Sequence, residues 1–261
     1  ITFYQKFIGG MAIDANSEKS EPRSDYIAWD YVISLQEQEG KEEELIAIAK
    51  QGIESNDPLD KFSGYLFSAN AMFKLGDYQG AISAYDEALS LHKTLSGDIP
   101  ASPITNKFKK EIFAKRGTAK LNMRKSRGAI SDFSKAIEIA PNDFILWTAR
   151  AWAKNDLKDF RGAVTDYSKA IEINPKEAVN YYSRGDAKSN LKDYQGAVTD
   201  YSKAIEINPK AAFTYVLRGD AKSNLKDYQG AIADFTQAIT INPQYASAYH
   251  GRGIARGLSG D

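Results

Sequence analysis

The chain has 261 residues, with 34 Lys and Arg against 34 Asp and Glu, so the net charge is zero and there is no basic field of the kind nucleic-acid binding needs. It contains no cysteine, which excludes disulfides, thiol catalysis and cysteine-type zinc sites and fits a reducing or an oxidising compartment equally. No run is long and apolar enough for a membrane span, and no phosphate-loop, dinucleotide, nucleophile-elbow or zinc-protease motif occurs.

In chain order, residues 1–13 (ITFYQKFIGGMAI) form an apolar stub, expected to dock on a helical surface of this chain or of a neighbour, and residues 14–24 (DANSEKSEPRS) have a linker's composition. Trp29, Gly40 and Gly52 fit a degenerate helix pair over 26–59. Tyr65, Ala69, Tyr78, Ala81, Tyr85 and Ala88 fit a divergent helix pair over 60–93, whose second helix runs to about His92. The Ser-, Pro- and Gly-rich stretch that follows predicts a loop over 94–109.

Residues 110–245 carry a fixed period. Pro141, Pro175, Pro209 and Pro243 stand 34 residues apart, closing KAIEIAP, KAIEINP, KAIEINP and QAITINP, and residues 162–176 recur letter for letter at 196–210. Such a period means stacked units rather than one globular core. Each unit reads as two helices and a tight turn. Asp159, Asp193 and Asp227 stand where an N-cap is needed, and the residue before each Pro is pushed out of the helical region.

With Pro as position 32, Gly117, Ala151, Gly185, Gly219 and Gly253 fall at position 8. A mid-helix Gly costs roughly 1 kcal/mol against Ala, so its recurrence implies a close helix approach. Large residues fill the remaining volume at position 4 (Phe113, Trp147, Tyr181, Tyr215, Tyr249) and position 24 (Phe133, Tyr167, Tyr201, Phe235). With Ala at 20 and 27, this pattern resembles the tetratricopeptide repeat. The resemblance implies an all-α fold, a right-handed α-solenoid superhelix of stacked antiparallel helix pairs. Residues 246–261 read as a half repeat or capping helix, or as the cut end of a longer array.

The resemblance also implies a non-catalytic adaptor whose first helices line a concave groove that receives a peptide, through positions 2, 5, 9 and 12. Those positions give Ile145, Thr148, Trp152, Asn155, Val179, Tyr182, Asp186, Phe213, Val216, Asp220 and His250, and the lining extends to Asn70 and Lys115 upstream. The middle is apolar and aromatic with an acidic edge, so a protein or peptide partner with apolar anchors is expected, and no metal or cofactor. Packing between adjacent first helices is the competing reading for each apolar residue. Leu66 stands where a chaperone-tail clamp would need Lys, which argues against that specialisation. His92 and His250 read as helix-surface residues.

At positions 7 and 11, where the family usually has Leu and Tyr, this chain has a ladder. Arg116, Arg150, Arg184, Arg218 and Arg252 are followed by Lys120, Lys154, Lys188, Lys222 and Arg256, one helical turn on. Asp132, Asp166, Asp200 and Asp234 recur at position 23. A repeated ion-pair lattice between helices is the expectation, and bases aligned for an acidic partner the alternative. A self-associating scaffold, joined through residues 1–13 or the exposed last helix, is the functional alternative to the adaptor.

Overall fold

The structure is a computed structural model that describes residues 40–95 and 103–260. The apolar stub, the linker, the start of the degenerate pair and residues 96–102 of the expected loop lie outside the described residues. Among these there are twelve α-helices and no strand. They fall into two compact bodies, Ile1–Ile139 and Ala140–Asp261.

The first body holds α1 (Glu42–Glu54), α2 (Pro58–Lys74), α3 (Tyr78–Leu95), α4 (Pro103–Asn122) and α5 (Ser126–Ile139). Consecutive helices pack on one another. Helices α1 and α2 approach closely, for a Cβ on Gly64 would lie 2.6 Å from the Ala49 carbonyl oxygen, so backbone meets backbone there. Helix α3 reaches Leu95 and α4 begins at Pro103, so the loop expected over 94–109 is shorter than its composition suggested. Proline is well suited to the first helical position, because its missing N–H would have been unsatisfied there anyway.

The second body holds α6 (Phe144–Asp156), α7 (Phe160–Ile173), α8 (Ala178–Asn190), α9 (Tyr194–Ile207), α10 (Ala212–Asn224), α11 (Tyr228–Ile241) and α12 (Ala246–Ser259). Each second helix, α7, α9 or α11, packs against the first helix of its own hairpin and against the first helix of the next. The centre of each hairpin is the aromatic at position 24: Tyr167, Tyr201 and Phe235 are fully buried. A Cβ on Gly185 or Gly219 would sit 2.8 or 2.9 Å from the ring of Tyr201 or Phe235, so the glycine at position 8 is the socket for that ring.

Local chemistry sets the turns. Asp159, Asp193 and Asp227 each accept a hydrogen bond from the backbone N–H of Gly162, Gly196 or Gly230, at 3.0 Å in every case. This satisfies one orphan donor at each helix start, worth about 1 kcal/mol. The preceding helix ends on a left-handed residue: Arg124, Lys158, Lys192 and Lys226 have φ of 58, 62, 65 and 65°. In the third repeat, Lys192 N–H donates to the Ser189 carbonyl and Asp193 N–H to the Lys188 carbonyl, both at 2.9 Å, closing a Schellman turn. The divergent repeat uses Gly76 at that place, with φ 81°.

A left-handed conformation costs an L-residue about 1 kcal/mol that glycine is spared. Lys192→Gly is therefore expected to raise the unfolding free energy of the chain by about 0.5–1 kcal/mol. Urea denaturation followed by circular dichroism measures this, and a loss of stability would contradict the turn assignment.

Candidate functional site

The ladder of bases is internal to the hairpins. In the third repeat the Arg184 guanidinium forks onto Asp200, Nε to Oδ2 at 2.9 Å and Nη2 to Oδ1 at 2.6 Å, while Lys188 Nζ reaches Oδ2 at 2.8 Å. Arg218 and Lys222 hold Asp234 at the same distances. Arg150 and Lys154 hold Asp166 at 2.8–2.9 Å, and Arg116 and Lys120 hold Asp132 at 2.5–2.9 Å. All four aspartates are buried.

Each of these arginines also stacks on the aromatic at position 4 of its own helix, 4.8 Å from the Trp147 ring for Arg150 and 5.6–5.8 Å for the others. The third nitrogen reaches back one repeat: Arg184 Nη1 donates to Ser168 Oγ and Arg218 Nη1 to Ser202 Oγ, both at 3.0 Å. Arg116 Nη1 meets Asp86 in the same way. Four of the five pairs of bases are thus spent on the fold, as the lattice expectation held, while Arg252 and Arg256 find no ion-pair partner among the described residues. The residue at position 25 that receives the third nitrogen was not singled out from the sequence, although the same 34-residue period marks it.

The opposite side of the first helices carries the candidate site. Positions 7 and 9 are two residues apart, about 200° around a helix, so residues at 9 point away from the lattice. In the second body Ile145, Trp152 and Phe213 are exposed, with 61, 46 and 39% of their surface accessible. Val179 and Tyr182 are half-buried between them. The Tyr182 and Phe213 rings meet edge to face, 5.0 Å between centroids, joining α8 to α10 across this face. His250 on α12 is exposed.

Some expected lining residues are withdrawn from it. Thr148 is buried, its hydroxyl 2.9 Å from the Phe144 carbonyl and 2.7 Å from Asn180 Oδ1, and Val216 is buried in the core around Phe235. Both fill the space between neighbouring first helices. Asn70, in the first body, is 4% exposed; its Oδ1 accepts from the Tyr85 hydroxyl at 2.7 Å and from Lys115 Nζ at 3.0 Å. Lys115 also pairs with Glu111 at 2.9 Å, so this pair is closed on itself. His92 is not a surface residue: it is 7% exposed, edge-on to Phe62 at 6.0 Å. Neither ring nitrogen finds a hydrogen-bond partner among the described residues, and burial, with Lys109 nearby, holds its pKa below the ordinary value.

Three acceptors on the face of the second body lack donors. Asp186 and Asp220 have no ion-pair partner among the described residues, and burial pushes both carboxyls above the usual carboxylate range. The side-chain oxygen of Asn155 is buried and has no hydrogen-bond partner among the described residues. No group of three or more His, Asp or Glu suited to a metal occurs among the described residues, and no helix there is long and apolar enough to cross a membrane.

Tetratricopeptide repeat family models match residues 69–103, 145–177 and 178–211, and a TPR repeat model matches 219–260. The chain belongs to the tetratricopeptide repeat family. Solved structures agree on the fold. YrrB, described as a TPR protein with an unusual peptide-binding site, superposes with a TM-score of 0.63 at 19% identity, over 78% of this chain and 97% of its own. MamA from Desulfovibrio magneticus gives 0.62 at 18%, over 72% and 98%. A tetratricopeptide repeat protein from Parabacteroides merdae gives 0.64 at 20%, over 76% and 73%. No curated protein matches the chain by sequence.

Removing Asp200 leaves Arg184 and Lys188 facing each other without their shared anion. Asp200→Ala is expected to lower stability by about 3 kcal/mol, read from denaturant midpoints, because breaking a buried pair exposes the full desolvation term. The face aspartates have the opposite sign. Their raised folded-state pKa means that their contribution to stability is present below about pH 4 and is lost as pH rises through the raised value. Asp186→Asn and Asp220→Asn should therefore raise the thermal midpoint at pH 7, an advantage that vanishes in acid. Equal midpoints at both pH values would contradict the desolvation argument.

Proposed function

We propose that this tetratricopeptide repeat protein is a non-catalytic adaptor that seats an extended segment of a partner protein on the first-helix face of its second body. The observation that carries the reading is the exposure of Ile145 and Trp152 on α6 and of Phe213 on α10, at positions 2 and 9 of the first helices. Large aromatic side chains left open in a shallow surface, with half-buried neighbours to exclude water around them, are the usual anchors of an interface. The lattice on the opposite side fixes the spacing of these helices, so the surface is formed in advance and little ordering opposes binding. Val179 and Tyr182 belong to the same seat, with Asn155, Asp186, Asp220 and His250 at its polar margin. YrrB, with its peptide-binding site, lends the reading an analogy of fold alone.

A second reading, self-association, draws on α12, where Tyr249, Ile254 and Leu258 are exposed. Light scattering across a concentration series separates the two: a constant monomer mass removes the scaffold reading.

Selection of a random dodecapeptide library on the full chain tests the adaptor. Enriched peptides are expected to bind with a dissociation constant of about 1 µM, near 8 kcal/mol. Trp152→Ala should weaken them about tenfold or more without changing the helical circular dichroism. No enrichment over the Trp152→Ala protein would remove the reading.

A further inference from the structure

The exposed face of the second body is divided into two strips. Ile145, Val179, Tyr182 and Phe213 lie on the N-terminal turns of α6, α8 and α10, while Asn155, Asp186 and Asp220 lie one to three turns further along the same helices. Four residues of helix separate Tyr182 from Asp186, about 6 Å at 1.5 Å per residue. The face is therefore apolar along one edge, and along the other the uncompensated acceptors share their register with the exposed Trp152.

The acceptor edge differs from the other recurring aspartates of this chain. Asp132, Asp166, Asp200 and Asp234 are each gripped by an Arg and a Lys, and Asp159, Asp193 and Asp227 cap helices. Asp186 and Asp220 do neither. The bases nearest to them in sequence, Arg184, Lys188, Arg218 and Lys222, are turned to the other side of α8 and α10 and engaged there. The two carboxylates stand one repeat apart on neighbouring helices, and after burial their charges help to raise the pKa of the Tyr201 hydroxyl. The unpartnered oxygen of Asn155 continues the row on α6.

Asp186 is half-buried and Asp220 is exposed, and neither has a counter-charge among the described residues; a partly desolvated anion left without one is penalised, and a cation supplied from outside removes the penalty. An acidic segment would add a third negative charge to the same strip. The set is also short of the ligands a metal ion needs, since no group of three or more such residues gathers among the described residues.

We infer that the segment seated on this face is a cationic, apolar peptide, whose Lys or Arg side chains lie against Asp186 and Asp220 while its apolar side chains cover Ile145, Tyr182 and Phe213. Alternate side chains of an extended strand point to opposite sides, so one strand laid across α6, α8 and α10 serves both edges at once. The inference rests on the adaptor reading, and deepens it by fixing the charge of the partner.

The dodecapeptide selection reads it directly through the composition of the enriched clones. An excess of Lys and Arg alongside apolar residues is expected. Binding of those clones should weaken about tenfold or more in the Asp186→Asn, Asp220→Asn protein, and more steeply with salt in the wild type than in that variant. Because the Asn variant is expected to be the more stable of the two, lost binding there cannot be assigned to unfolding. The Asp186→Lys, Asp220→Lys protein should instead enrich acidic clones. Clones of neutral or acidic composition, or affinity indifferent to the Asn substitutions, would overturn the inference. The adaptor reading would survive that result if Trp152→Ala still abolished binding, and both would fall if it did not.

Discussion

One charged contact sets the geometry of each hairpin: a buried aspartate near the middle of the second helix, forked by an arginine and touched by a lysine from the first. It occupies positions where an apolar contact would also serve, and it behaves differently from one. A hydrophobic contact tolerates sliding by part of a turn, but a bidentate guanidinium fixes distance and rotation together. The third nitrogen of Arg184 and Arg218 carries that constraint to the serine of the preceding hairpin. The net stabilisation from such buried pairs is small. Their effect is on register, which matters when neighbouring repeats are so alike in sequence that packing alone discriminates poorly between slightly shifted arrangements.

The period made most of the fold legible before any coordinates. The cap aspartates, the socket glycines and the buried aromatics each recur every 34 residues, and recurrence separates a structural requirement from an accident of composition. Where the period fades, so does legibility. The divergent repeat has Ser68, Met72 and Ala84 where the others hold Arg, Lys and Asp, and it is tied instead by Tyr85, Asn70 and Lys115. Gly64 admits α1 to within backbone contact, with no repeated counterpart to announce it. His92 looked like a surface residue because helical periodicity alone cannot see α4 arriving to cover it.

The candidate face was legible in outline only. Counting positions from the proline placed the right side of each first helix, but could not say how closely adjacent first helices approach. Thr148 and Val216 vanish into that approach, whereas Ile145 and Phe213, three residues earlier in each helix, remain open. The carboxylates show the same limit. The recurrence at position 23 marked the aspartates held by arginine, but only the coordinates show that Asp186 and Asp220 have no ion-pair partner among the described residues.

Among the described residues α7, α9 and α11 each pack mainly on the first helices on either side, so the contacts of the second body run chiefly between immediate neighbours in hairpin order, with a thin line where first helices meet. Growth or contraction by one whole period would leave every interface with a familiar counterpart, whereas an insertion of any other length would strand an arginine opposite the wrong residue. The verbatim copies within 162–210 are what such modular lengthening leaves behind: in this architecture the smallest heritable change in reach is a complete hairpin.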